Sequence, residues 1–229
     1  MIKHNLTATR LRWRNFIDSD RGLAALLVLL VAYIFFVYPL LGNEGLGGWA
    51  SVIFSLILVA GIFATANHHA VRVGIAALAV IALASHWANV LVGGRVVHTI
   101  AASAAVVFFI VQVWFLTSRV FGDGEVTINR ILGAVAVYLL LGLLWAEAYL
   151  VIFLSVPGAF QFSPASDLPI AEMVYFSFVT LTTLGYGDIT AVHPFARSLV
   201  MMEGLVGQLY PAILLARLVT QYQGRKNNS

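Results

Sequence analysis

The chain has 229 residues, of which 61% are apolar and only 10% charged, with a formal net charge of +3 and no cysteine. Without Cys there are no disulfides and no thiolate-held metals. The apolar residues come in blocks near the roughly 20 that a hydrocarbon core of about 30 Å requires, which excludes a water-soluble domain and predicts an all-α integral membrane protein.

In chain order, residues 1–21 form a basic arm. Its stretch Arg10-Leu11-Arg12-Trp13-Arg14-Asn15-Phe16 mixes basic and aromatic side chains. Such a mixture suits an interfacial segment on anionic lipid, and the same charges serve the bias of Lys and Arg toward the cytoplasmic side. The first apolar run, 23–41, is long and lacks a small-residue cleavage pattern, so it is expected to remain as an anchor. Further spans are predicted at 49–66, 71–92 and 96–118, completing a four-helix membrane region over 22–118. Polar residues there are scattered. His68 and His69 are adjacent, so they do not face one another on a helix and make a poor metal site. His86, Asn89, His98 and Gln112 fit helix–helix hydrogen bonds, and the two imidazoles also leave proton sensing open.

The fourth span contains no Lys or Arg; Arg95 and Arg119 bracket it. Each charge that crosses the field contributes about 2.3 kcal/mol per 100 mV, so steep voltage dependence is not expected from this helix. A polar linker, 119–130, follows, and Gly122 and Gly124 predict a turn there.

The remaining membrane region, 131–222, holds spans at 131–156 and 195–222, which brings the predicted total to six. Between them, residues 157–194 carry no Lys or Arg, only Asp167, Glu172 and Asp188. Within this segment the apolar stretch 170–183 is too short to cross, and a re-entrant helix is the economical reading. With both termini cytoplasmic, every Lys and Arg except Arg95 and Arg197 falls inside. The re-entrant loop then lies at an acidic outer mouth that attracts cations. The tail, 223–229, is expected to be too short for a folded ligand-binding domain.

The re-entrant helix runs into Thr182-Thr183-Leu184-Gly185-Tyr186-Gly187-Asp188. An ion crosses a bilayer only if something replaces its water, and main-chain carbonyls do so without a fixed charge that would trap it. Successive carbonyls line one side only if alternate residues take unusual backbone angles, which Gly185 and Gly187 accept. The segment YFSFVTLTTLGYGD resembles the pore helix and filter of tetrameric potassium channels, whose filter reads TVGYG. The resemblance covers outer helix, pore helix, filter and inner helix, about residues 131–222.

That resemblance implies a potassium-selective channel that conducts K+ passively. Thr183, Leu184, Gly185, Tyr186 and Gly187 would form the filter, with Asp188 at the outer mouth and K+ held at Thr183, Leu184, Gly185 and Tyr186. One such strand is one wall of a ring, so a homotetramer is implied. The permeant ion is K+, no cofactor is expected, and the partners are further copies of the chain and membrane lipid, with no nucleic acid and no enzymatic activity. Tyr186 would point away from the axis. Tyr175, Thr182, Glu147 and Glu203 are candidate filter supports: Tyr175 by reaching Asp188, Glu147 as the outer-helix acid beside the pore, and Glu203 by bracing the pore helix. Tyr175 and Phe176 replace the paired Trp of many voltage-gated members, which puts filter rigidity in question. Gly207, nineteen residues after Asp188, is either a gate hinge or a packing glycine, and Pro211 one turn later weakens or kinks the helix. Gln208 would face the cavity below the filter. A bacterial inner membrane is the expected location. Rival readings are a less selective cation channel, a transporter relaying protons through Glu147 and Glu203, and a regulatory subunit silent on its own.

Overall fold

A computed structural model describes residues 22–37, 47–65, 69–122, 127–163 and 169–227. The basic arm 1–21, His68, Gly124 and Asp167 lie outside the described residues. Helix α1 covers 22–37 and ends in a π-helical turn, Tyr33–Val37. It is followed by α2 (Gly47–Thr65), α3 (His69–Val92), α4 (Arg95–Val120) and α5 (Ile128–Ser155). Then come the short strand β1 (Phe160–Phe162), helix α6 (Pro169–Leu181), strand β2 (Ile189–Ala191) and the long α7 (Pro194–Asn227).

Local chemistry sets the breaks. Gly93 and Gly94 hold φ of 68° and 94°, left-handed values that let α3 reverse into α4 over two residues. Thr127 caps α5 by accepting the amide of Arg130. Pro169 and Pro194 open α6 and α7, where a missing amide hydrogen costs nothing.

Four described helical segments are long and apolar enough to cross a bilayer: Val71–Val92, Arg95–Val120, Ile128–Ser155 and Pro194–Arg217. The apolar parts described for α1 and α2, Gly22–Phe36 and Gly48–Ala64, are shorter. Helix α6, thirteen residues long, cannot cross, as its apolar length predicted.

A continuous apolar core joins the first four helices to α5, with Leu26, Ile57, Phe108, Phe109, Leu140 and Leu150 almost fully buried. Helix α5 lies at the centre of the chain, packed by α4 on one side and by α6 and α7 on the other. The arginines bracketing α4 have work in this packing. Arg95 donates to the carbonyl of Leu154 at the end of α5, and Arg119 to that of Ala64 at the end of α2, 2.9 Å away. Each places a cation against helix-terminal carbonyls, the favourable end of a helix dipole.

Candidate functional site

The candidate site is the turn from α6 into residues 182–188. The main chain leaves α6 through a cluster of tight hydrogen bonds: Thr182 N to Phe178 O (3.1 Å), Thr183 N to Thr180 O (2.9 Å) and Leu184 N to Val179 O (2.9 Å). The Thr182 hydroxyl also donates to Phe178 O at 2.6 Å. Beyond that point φ is 61° at Thr183, 57° at Gly185 and 80° at Gly187, while Leu184 and Tyr186 are not in the left-handed region. The hand of the backbone therefore alternates residue by residue, the condition for successive carbonyls to share one side. Two of the three positive angles fall on glycine; Thr183 pays the Cβ penalty of about 1–2 kcal/mol.

The outer limb is pinned from behind. Strands β1 and β2 pair antiparallel, Phe160 opposite Ala191 and Phe162 opposite Ile189. The amide of Ser163 donates to Asp188 O at 2.8 Å, extending the ladder to the filter-like turn. The Asp188 carboxylate accepts from its neighbour Ile189 N at 3.1 Å and from the Tyr175 hydroxyl at 2.6 Å. That hydrogen bond pushes the Tyr175 phenol up to about 12, so it remains a donor at neutral pH. His193 accepts from Phe195 N through Nδ1 (3.3 Å) and Arg197 donates to Ala191 O (3.0 Å), fixing the entry to α7.

The inner limb rests on a buried polar cluster. Tyr149 on α5 donates to Glu203 Oε2 on α7, and the Ser177 hydroxyl on α6 lies 2.6 Å from Glu203 Oε1 and 2.7 Å from Gly142 O on α5. All three side chains are 0% exposed. One carboxyl group thus links α5, α6 and α7. Tyr138 adds a bond to Leu181 O at 3.2 Å, closing the end of α6.

Gly207 sits against that same end. A Cβ built there would lie 2.0 Å from Leu181 O, so close helix packing demands glycine at this position. Four residues on, Pro211 cannot donate to the Gly207 carbonyl, yet α7 continues as a helix to Asn227. Gln208 is exposed on α7. Farther along, Arg217 donates to the carbonyls of Phe121 and Gly122 (2.6 Å to the latter) and lies over the Phe121 ring, 5.3 Å from its centroid.

The structure therefore brings Tyr175, Thr182, Glu203 and Gly207 onto the turn or the helix that carries it. Glu147 lies elsewhere. Residues 147 and 149 are about 200° apart around a helix, so while Tyr149 faces Glu203, Glu147 faces the first four helices. It lines a cavity with His86 and His98. Tyr186 and Leu184 are 67% and 59% exposed in the single chain, so the Tyr186 ring is not packed within it. Sequence reasoning passed over Ser177, Tyr149, Tyr138, Arg217 and the β1–β2 ribbon. The one available signal was Ser177, a small polar residue inside the short apolar helix α6.

A short apolar helix, a turn of alternating hand and two flanking helices long and apolar enough to cross a bilayer make up this part of an integral membrane protein. Residues 137–223 match the family model described as ion channel. Among curated proteins, two pore potassium channel c of Oryza sativa subsp. japonica is 38% identical over 68 residues, 30% of this chain and 15% of that protein. Protein LctB of Bacillus caldotenax is 28% identical over 121 residues, 51% of this chain and 88% of that protein. The chain thus spans a small fraction of the rice channel's length and most of the Bacillus protein's. No solved structure matches it significantly.

Proposed function

We propose that the protein is a potassium-selective channel in which four copies close a ring around the turn Thr183-Leu184-Gly185-Tyr186-Gly187. The observation that carries this reading is the alternation of backbone hand over Thr183, Gly185 and Gly187 in a TLGYG sequence at the end of a re-entrant helix. In the ring, carbonyls from four strands replace the hydration shell of K+. The C-terminal end of α6 adds its negative dipole toward the pore centre, and Asp188 shapes the outer mouth.

Assembly is supported by what the single chain leaves uncovered. Leu184 and Tyr186 are exposed, and α7 is the least buried of the long membrane helices, with Met201, Leu205, Leu209 and Ile213 facing outward. Neighbouring copies would cover the Tyr186 ring and part of α7, leaving Gln208 toward the central cavity. In this reading each subunit crosses the membrane six times with both termini cytoplasmic, and a bacterial inner membrane is its location. A movable gate falls on α7 beyond Gly207, where Pro211 removes a main-chain hydrogen bond. Helix α4 carries charge only at Arg95 and Arg119, so voltage does not drive that gate through it.

The test is a flux assay. Proteoliposomes loaded with K+ and diluted into Na+ should develop an inside-negative potential that follows the K+ gradient, read with a voltage-sensitive dye. An equal collapse by Na+ would overturn the selectivity.

A further inference from the structure

Away from the filter-like turn, the described residues line an open cavity of about 210 Å³ between the first four helices and α5. Its polar lining consists mainly of Glu147, His86, His98, Asn89 and the Tyr33 phenol, with the Phe54 ring as an apolar wall. These residues come from the last turns of α1, α3 and α5 and the first turns of α2 and α4. The cavity therefore opens at the end of the bundle where α5 leads into β1 and the filter's outer limb.

Glu147 is the unusual member. It is 8% exposed, yet it makes no hydrogen bond or ion pair among the described residues. A carboxylate taken out of water without a partner is destabilised by several kcal/mol. His86 Nε2 is likewise buried without a hydrogen-bond partner among the described residues. Both are therefore open to an arriving donor. Beside them the Phe54 ring lies 4.8 Å from the His86 ring and 6.1 Å from that of Tyr33, giving an aromatic side to the space. No group of three or more His, Asp or Glu among the described residues is arranged to hold a metal, so a divalent ion is a poor occupant.

An acceptor carboxylate, an unfilled imidazole nitrogen, a side-chain amide and aromatic faces in a small cavity match one ligand chemistry. We propose that this cavity binds a small organic ammonium ion, with Glu147 as counter-charge, His86 Nε2 and the Asn89 amide as hydrogen-bond partners and Tyr33 and Phe54 against its apolar part. The volume, below the usual range for drug-sized ligands, restricts it to a small amine. The same ammonium could be free in solution or be the headgroup of an ethanolamine lipid at the membrane surface. Occupancy would bear on the conducting region through α5, because Tyr149, between Glu147 and Leu150, carries the bond to Glu203 on its opposite face.

The full chain in nanodiscs of phosphatidylglycerol, titrated with 4-fluorobenzylamine and separately with 4-fluorobenzyl alcohol, tests this through fluorine NMR. The amine should bind saturably, about tenfold or more tighter than the alcohol, as expected for one charge-assisted hydrogen bond. Glu147→Gln should remove that preference, and Ala102→Leu, which fills the cavity wall, should remove binding of both. Competition by added phosphatidylethanolamine would make the headgroup the source, and its failure to compete would make it a free amine. Equal binding of amine and alcohol, or unchanged amine binding in Glu147→Gln, would overturn the proposal. The readout is binding rather than current, so it is independent of the conduction reading.

Discussion

Replacing Tyr149 by Phe isolates one hydroxyl. The ring keeps its contacts with Trp145, Phe160 and Phe176, at centroid distances of 6.3, 5.7 and 5.2 Å, so packing is retained. What is lost is the donor to Glu203 Oε2, and a buried acceptor left unsatisfied costs about 1–3 kcal/mol. In a Glu203→Leu background the carboxyl is already gone and the Tyr149 hydroxyl is itself the orphan, so the same Phe substitution should cost almost nothing there. The double-mutant cycle should therefore give a coupling of about 1–3 kcal/mol. Equilibrium unfolding in mixed micelles, followed by circular dichroism, measures it. A Tyr149→Phe cost below about 0.5 kcal/mol, or the same cost in both backgrounds, would refute the view that this carboxyl ties α5, α6 and α7 together.

Further outcomes follow from the same geometry. Gly207→Ala should destabilise the protein by about 1–3 kcal/mol in the same unfolding assay, because its Cβ would fall 2.0 Å from Leu181 O; a residue acting only as a hinge would leave stability unchanged. Tyr175→Phe should weaken discrimination of K+ over Na+, read as a permeability ratio, since Asp188 keeps only the Ile189 amide of its two described side-chain bonds. Arg217→Gln should speed hydrogen exchange at the amides of the last turn of α4, where the Phe121 and Gly122 carbonyls lose their charged donor. Conductance should vary little with voltage, with a gating charge below about one elementary charge, because α4 is uncharged between Arg95 and Arg119.

The long helices were legible because uninterrupted apolar runs of bilayer length admit little else, and α3, α4 and α5 begin and end within about three residues of the expected positions. The filter-like turn was legible because its glycines are required by backbone angle. The facing of α5 was not. That helix is apolar nearly all round, so nothing in its pattern says which side meets α6 and α7 and which meets the first four helices. The family resemblance put Glu147 beside the pore, whereas it lines a cavity on the face of α5 turned away from Glu203. The β1–β2 ribbon escaped notice because three-residue strands are too short to display alternation. Partners such as Ser177 with Glu203, or Arg217 with Phe121, are separated by 26 and about 96 residues, distances over which sequence carries no geometric signal.

Single-channel recording of the purified chain in a planar bilayer, under opposed K+ and Na+ gradients and repeated with Gly185→Ala, tests the central claim most directly. Gly185 holds φ of 57°, a left-handed value that an Ala Cβ disfavours, and no atom of its own chain lies within 4 Å of the missing Cβ, so within the chain the substitution acts through the backbone. Discrete currents reversing near the K+ equilibrium potential, abolished by Gly185→Ala, are the predicted result. Currents carried equally by Na+, or K+ currents unaltered by the substitution, would contradict it.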